Sequence, residues 1–343
     1  MTAPRKTYSH LAGARRMPTE YEIVTSKLHY YVDRGFEVEV PLASWYRRYQ
    51  GGSPLQCSDW DRFVDPRKTT YTAYVALQRD KEVHLDAIYH SLEERDYDAS
   101  LAPGWIDRLE RFWSPVRFLG HGLQMIAAYV GQMAPSGRIT ITSALQAADE
   151  IRRIQRIAHR TAQLRKRRPA FGENGRELWQ SAASWQPTRR LVEQMLVTWD
   201  WAEAFAALNL CAKPMLDALL LVELASLARA EGDPSFGDIA FSLHQDAEWQ
   251  RAWSKALVEL ATSDRPENEE VLHGWVEKWL PRAEAAATAI AEGLEAPQMA
   301  PAAIARTRRW LDSLGILAPA YRERDRTDEA VVESTVERRT ASR

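Results

Sequence analysis

Carboxylate-bridged di-metal centres in helical bundles require a Glu from each of two helices and a Glu-x-x-His turn from each of two others. A spacing of three puts both side chains of the turn on one helix face, within reach of the same ion pair. One literal match occurs, Glu270-Val271-Leu272-His273. It has no second copy to complete a site, and with Glu269 at the start of a helix its acid simply complements the helix dipole. Two other segments keep the outline of the motif with the ligands changed. In Asp149-Glu150-Ile151-Arg152-Arg153 the Glu is followed three residues later by Arg, and in Asp246-Ala247-Glu248-Trp249-Gln250 the matching positions are Ala247 and Gln250. Alanine offers no ligand atom and arginine is a permanent cation. Neither segment can hold iron in the usual way.

Other reactive types are sparse. His84, Asp86 and His90 fall on one helix, but the two histidines are six residues apart and share no face, so solvated or packing roles follow. Cys57 and Cys211 are the only cysteines, which excludes a C-x-x-C motif and a disulfide framework and fits a reducing cytoplasm. No G-x-S-x-G elbow or glycine-rich phosphate loop occurs. The basic run at 165–168 reads as a charged helix end.

The elements that position these residues are helices. Apolar spacings of three and four predict helices over 70–95, 105–113, 115–133, 139–167, 188–231, 236–262 and 269–292, with a kink or break in the fifth near Lys213-Pro214. Strand signals are almost absent, so the fold class is all-α, a bundle whose core lies between 115–133, 139–167, 190–230 and 236–262. Residues 1–70, with recurrent Pro and the turn Gly51-Gly52-Ser53-Pro54, read as an irregular arm. The helical domain spans 71–295. Residues 296–343 read as a helical extension ending in a charged tail, disordered from Tyr321 onward.

Composition narrows the classes further. The 343 residues include 45 Lys+Arg against 47 Asp+Glu, a formal net charge of −2, without the basic footprint of a general nucleic-acid binder. No run approaches 18 uninterrupted apolar residues, and the first 20 carry charge and Pro where a signal peptide is apolar. A soluble, cytoplasmic chain that engages neither nucleic acid nor membrane is expected. Thirteen Trp, many closely paired as in Trp199/Trp201, Trp249/Trp253 and Trp275/Trp279, suit either a large core or the buried centre of an interface.

Segments spread over residues 5–290 carry a resemblance. They include Tyr8-Ser9-His10-Leu11-Ala12, Ser114-Pro115-Val116-Arg117-Phe118, Gln132-Met133-Ala134-Pro135, Trp199-Asp200-Trp201-Ala202-Glu203-Ala204-Phe205, Lys213-Pro214-Met215, Arg251-Ala252-Trp253-Ser254-Lys255 and Gly274-Trp275-Val276-Glu277-Lys278-Trp279. Together they resemble the β subunit of the hydroxylase of bacterial multicomponent di-iron monooxygenases, nearest the four-component toluene and alkene group. The extension after Pro297 departs from the shorter relatives.

The resemblance implies a ferritin-like fold, akin to the ribonucleotide reductase small subunit, and a non-catalytic scaffold with no cofactor of its own. It implies a larger α subunit holding the di-iron centre, a small γ subunit, and a second αβγ protomer. A reductase and a Rieske-type ferredoxin would supply electrons from NADH, a small effector would tune the complex, and one O2 oxygen would enter an alkene, isoprene or aromatic hydrocarbon. The α pattern Asp-Glu-x-Arg-His, laid on this chain, falls on 149–153 and 246–250. It keeps Glu150 and replaces its other ligands by Arg153, Ala247 and Gln250. The two remaining α carboxylates fall near Gly120, beside His121 and Gln124, and at Lys213.

A lone buried carboxylate is costly, so Glu150 is expected to be matched by Arg153 or Lys213, with Gln250 as a hydrogen-bond bridge. The arm, with Tyr8, His10, Tyr21 and Tyr30, is expected to wrap a neighbouring subunit. The rival reading is an autonomous di-metal oxidase or oxygenase with its site around Glu203, Glu223 and Glu270-x-x-His273.

Overall fold

Side-chain caps set several helix starts. Thr70 accepts from the Ala73 amide at 3.4 Å, Ser136 from Arg138 at 3.2 Å, and Asp233 from Phe236 at 3.2 Å with Pro234 in the first turn. Each cap satisfies an amide that the first turn leaves open. The computed structural model describes residues 17–27 and 41–317 together with Tyr321. Its helices are α1 (Glu20–Lys27), α2 (Pro41–Tyr46), α3 (Tyr71–Glu94), α4 (Pro103–Met133), α5 (Gly137–Arg165), α6 (Gly175–Ser181), α7 (Gln186–Leu196), α8 (Trp201–Ala230), α9 (Pro234–Asp264), α10 (Asn268–Gly293) and α11 (Met299–Ser313). No strand occurs among the described residues.

Two expected breaks are absent, each for a local reason. Residues 105–113 and 115–133 form the single helix α4, which runs through Pro115. Proline has no N–H to give the Arg111 carbonyl; the Trp185 indole N–H donates to that carbonyl instead, at 3.2 Å. At Lys213-Pro214 the chain also stays helical. The turn before the proline, Ala206–Ala212, widens to π-helix, and a second π segment follows at Ala218–Glu223, so the chain stays helical past the ring. The actual interruption lies between α7 and α8, where Asp200 accepts from the amides of Ala202 and Glu203 at 3.0 and 2.9 Å and starts a new helix. By length and composition α8 resembles a membrane span, yet its most apolar window is 94% buried. It is the core helix of the bundle.

Around α8 pack α4, α9, α10 and α11, and α5 reaches it through side-chain pairs such as Glu150 with Lys213 and Gln146 with Asn209. Helices α4 and α5 run antiparallel in close contact, Gly131 lying against Thr140, Ser143 and Ala144. Trp105, Trp185, Trp201, Trp253 and Trp279 are fully buried, so much of the tryptophan content belongs to the core. The extension α11 is part of this body: Arg308 donates to Glu284 on α10 at 2.8 Å, and Thr307 lies on Met215 of α8.

The described part of the N-terminal region also lies on this chain's own bundle. Ser53 donates to Asp200 at 2.9 Å, the Ser58 amide to Asp264 at 2.7 Å, and Trp60 meets Trp201 edge-on at 5.2 Å. Tyr21 is buried, its hydroxyl accepting from the Asp65 amide. Residues 41–70, read as irregular, therefore include a short helix and are anchored within the chain. Tyr8, His10, Tyr30 and the tail from 322 lie outside the described residues.

Candidate functional site

Helix α5 turns an unusual set of side chains inward: Asp149, Glu150, Arg152, Arg153, Arg156 and Arg160 are all buried. Charges removed from water must be paired, and here they form two adjoining clusters.

The inner cluster joins α5 to α8. Lys213 pairs with Glu150. Arg153 Nε lies 3.6 Å from the other Glu150 oxygen, while its Nη2 donates to Asp217 at 2.6 Å. Asp217, one turn beyond Lys213, is 3.3 Å from that ammonium. Two carboxylates and two cations thus close a box. Burial would raise the Asp217 pKa, but Arg153 and Lys213 outweigh it and hold the acid down at about 2. For Arg153, burial opposes the charge and Asp217 with Glu150 restores it, so the guanidinium pKa moves up.

The outer cluster brings in α3 and α9. Asp246 is met by Lys81 at 2.5 Å and by Arg152 Nη1 at 2.6 Å. The same guanidinium reaches Glu82 at 2.7 Å and Ser242 at 2.6 Å. Asp149 is different. It accepts from the Tyr74 hydroxyl and Gln78 at 2.8 Å each, and from Gln250 at 3.0 Å, and among the described residues no cation pairs with it. Burial and the nearby Asp246 push its carboxyl up to about 7, although the hydrogen bonds pull the other way. Beside this cluster Gln146 and Asn209 exchange hydrogen bonds at 3.1 and 2.9 Å, and Trp253 donates to Gln146 at 3.0 Å.

The structure therefore brings Glu150, Arg153 and Lys213 together and separates Gln250 from them. Gln250 bonds Asp149 rather than Glu150, because the acid on its side of α5 is Asp149; its own carbonyl oxygen is left without a partner. Ala247 is buried and supplies packing alone. A Cβ at Gly120 would stand 3.0 Å from Ile154 Cγ1, so a carboxylate there would require the Ile154 side chain to shift. His121 is exposed and Gln124 half-buried.

The rival set does not converge. Glu203 binds Lys278 and the Trp279 indole at 2.5 and 3.0 Å, Glu223 lies 3.7 Å from Arg306, His273 faces the Gly315 carbonyl at 3.0 Å, and Glu270 is exposed. Among the described residues no group of three His, Cys, Asp or Glu could hold a metal ion. The donor set of the inner box does not fit a di-iron centre, because cations stand where ligands would be needed. Sequence reasoning missed Asp217, Tyr74, Gln78 and Lys81; of these only the Lys213-x-x-x-Asp217 spacing was open to view.

Comparison with known proteins places the arrangement. Residues 45–265 match the model of the Methane/Phenol/Alkene Hydroxylase family. The β subunit of the hydroxylase component of the toluene-4-monooxygenase system from Ectopseudomonas mendocina is 40% identical over 293 residues, 83% of this chain and 89% of the relative. The chain belongs to the methane/phenol/alkene hydroxylase family. Within that family it is a structural, β-type subunit of a multicomponent monooxygenase hydroxylase, so it is part of an oxidoreductase complex, and the autonomous alternative is not favoured.

Its ferritin-like helical fold matches a chain in the solved structure of toluene 4-monooxygenase with toluene in the resting active site. That chain is 39% identical, with a TM-score of 0.81, covering 86% of this chain and 99% of that one. The family likeness extends to a large subunit. The oxygenase component subunit α of the alkene monooxygenase system from Xanthobacter autotrophicus is 24% identical over 216 residues, 63% of this chain and 42% of the relative.

Proposed function

We propose that this chain is the scaffold partner of a larger di-iron α subunit, in an (αβγ)2-type hydroxylase that inserts one O2 oxygen into an alkene, isoprene or aromatic hydrocarbon. A small γ subunit completes the protomer. A reductase, a Rieske-type ferredoxin and an effector serve the assembly in the cytoplasm, and the di-iron centre belongs to the α subunit.

The observation that carries this reading is the inner box. Glu150, Arg153 and Lys213 stand where the resemblance sets iron ligands, and they neutralise one another with Asp217. Ala247, Gln250 and the position near Gly120 are the other places where the resemblance sets ligands and this chain has none. What remains is rigid support: salt bridges and tight helix contacts that stiffen a bundle against which ligand-bearing helices of a partner can be held, as fine geometry in a metal site requires.

The test is to express the chain with and without a neighbouring large subunit that carries both intact Asp-Glu-x-Arg-His motifs, then measure iron and zinc in each product. Iron should follow the large subunit, and the chain alone should be metal-free and weakly stable. Stoichiometric iron or zinc in the isolated chain, or a failure of the large subunit to co-purify, overturns the proposal.

A further inference from the structure

Helix α3 is fastened to the bundle by charge more than by packing. Of its 24 residues only Tyr74, Leu85 and Tyr89 are buried, against 17 of 31 in α4. Its side toward α5 carries Glu82 and Asp86, one turn apart, and the turn that follows adds Asp98. Helix α5 answers with Arg152, Arg156 and Arg160 at the same four-residue spacing, which sets them in one row. Arg152 Nε donates to Glu82 at 2.7 Å, while Arg156 donates to the other Glu82 oxygen and, at 2.7 Å, to Asp86. Arg160 holds Asp98 through both Nη atoms, at 2.8 and 3.0 Å. The pairs Lys166 with Glu93 and Arg167 with Asp96 continue the seam.

The two sides of this seam are unequal. The three arginine side chains are 5, 9 and 4% exposed, whereas Glu82, Asp86 and Asp98 are 27, 59 and 19% exposed. Dissolved salt therefore reaches the acid of each pair and screens it, as it cannot in a fully buried pair. The seam is also incompletely satisfied: Gln78 Oε1, the Tyr89 hydroxyl and Arg156 Nε are buried without a hydrogen-bond partner among the described residues. Each such atom weakens the closed arrangement. A cavity of about 660 Å3 is lined jointly by the end of α3, the following turn and α5, through Tyr89, Leu92, Tyr97, Arg160 and Gln163. Few buried apolar contacts, with solvent-reached polar ones in their place, mark a segment that opens below the free energy of global unfolding.

We propose that α3 and the turn to Asp98 form an electrostatic strap, which lifts from α5 as one unit ahead of global unfolding and does so more readily as ionic strength rises. Lifting uncovers the arginine row. It also strips Asp149 of Tyr74 and Gln78, two of its three donors, and Asp246 of Lys81. The strap thereby couples ion pairs that salt can reach to the buried acids of α5 and α9. Most helical stability comes from tertiary packing, so α3 loses amide protection once it lifts.

The experiment is hydrogen–deuterium exchange on the full-length chain within the purified hydroxylase. It compares about 0.1 M with about 1 M sodium chloride, across which the screening length falls from about 10 to about 3 Å. Peptides from 71–94 should exchange together and more than about fivefold faster at high salt, while those from α4 and α8 change by less than about twofold. Glu82→Gln removes the acid shared by two arginines; it should speed α3 exchange at low salt and shrink the salt response by more than half. Glu259→Gln, on an acid whose partner Lys255 lies on its own helix, should do neither. If Glu82→Gln fails to assemble, the wild-type comparison decides alone. A smaller salt response in α3, a response shared equally by α4 and α8, or a salt response that Glu82→Gln leaves intact overturns the inference.

Discussion

Lys213 on α8 and Glu150 on α5 meet as an ion pair whose side chains are 3% and 1% exposed. Pairs this deep lose most of their hydration, so their attraction goes largely to offsetting desolvation. Their significance is positional. Arg153 and Asp217 close the other two sides of the box, and the four side chains hold α5 and α8 in one register. Removing one member is therefore a different perturbation from removing a matched pair.

Lys213→Met should cost about 3 to 5 kcal/mol, because it leaves Glu150 buried with Arg153 already committed to Asp217. Adding Glu150→Gln should recover more than half of that loss, since no uncompensated carboxylate is then left in the box. Thermal unfolding of the assembled hydroxylase for wild type, both single variants and the double gives the coupling; additive losses would show that the two side chains act independently.

Two buried aspartates of this region, Asp149 and Asp217, have opposite pH signatures. Asp149 is raised to about 7, so the folded chain binds its proton more tightly than the unfolded chain does. That contribution is full below the ordinary carboxylate pKa of about 4 and is lost as pH rises through 7. Asp217 is lowered to about 2; its contribution is present above about 4 and lost as pH falls toward 2. Asp149→Asn should accordingly flatten the decline in stability between pH 5 and 8 and equal or exceed wild type at pH 8. Gln250 can turn its unpartnered carbonyl oxygen toward the new amide. Thermal midpoints across that range check the sign, and an unchanged slope would remove Asp149 as its source.

Trp185 and Pro115 form a compensating pair. Trp185→Phe leaves the Arg111 carbonyl without the donor that Pro115 cannot supply, in a part-buried hydrogen bond, a loss of about 0.5 to 1.5 kcal/mol. Pro115→Ala restores the backbone N–H and should cost less in the Trp185→Phe background than in wild type. Denaturation of the four proteins decides it; identical costs in both backgrounds would mean the indole only packs.

What was legible in the sequence depended on how local its cause was. Helix α5 begins and ends close to expectation because Ser136 caps it and the basic run at 165–168 closes it. Helix α8 is less legible: its continuity through Pro214 goes with π turns in a buried helix, which no local sequence signal marks. In the site, Glu150, Arg153 and Lys213 stand out because they occupy motif positions. Tyr74, Gln78 and Lys81 do not: they reach Asp149 and Asp246 from α3 across a long loop of chain, and in sequence they are an ordinary polar helix face.

Glycines on α4 separate packing from propensity. Alanine is favoured over glycine inside a helix by about 1 kcal/mol, so a Gly→Ala change that met no obstacle would stabilise. At Gly104 nothing lies within 4 Å of a new Cβ, whereas at Gly122 that atom would stand 2.3 Å from Val192 Cγ1 on α7. Gly104→Ala should raise stability slightly. Gly122→Ala should lower it by about 1 to 3 kcal/mol, the usual cost of overpacking, and Val192→Ala should relieve part of that penalty by making room. Unfolding measurements on the three variants test the close approach of α4 to α7: a stabilising Gly122→Ala would mean that the two helices are free to move apart.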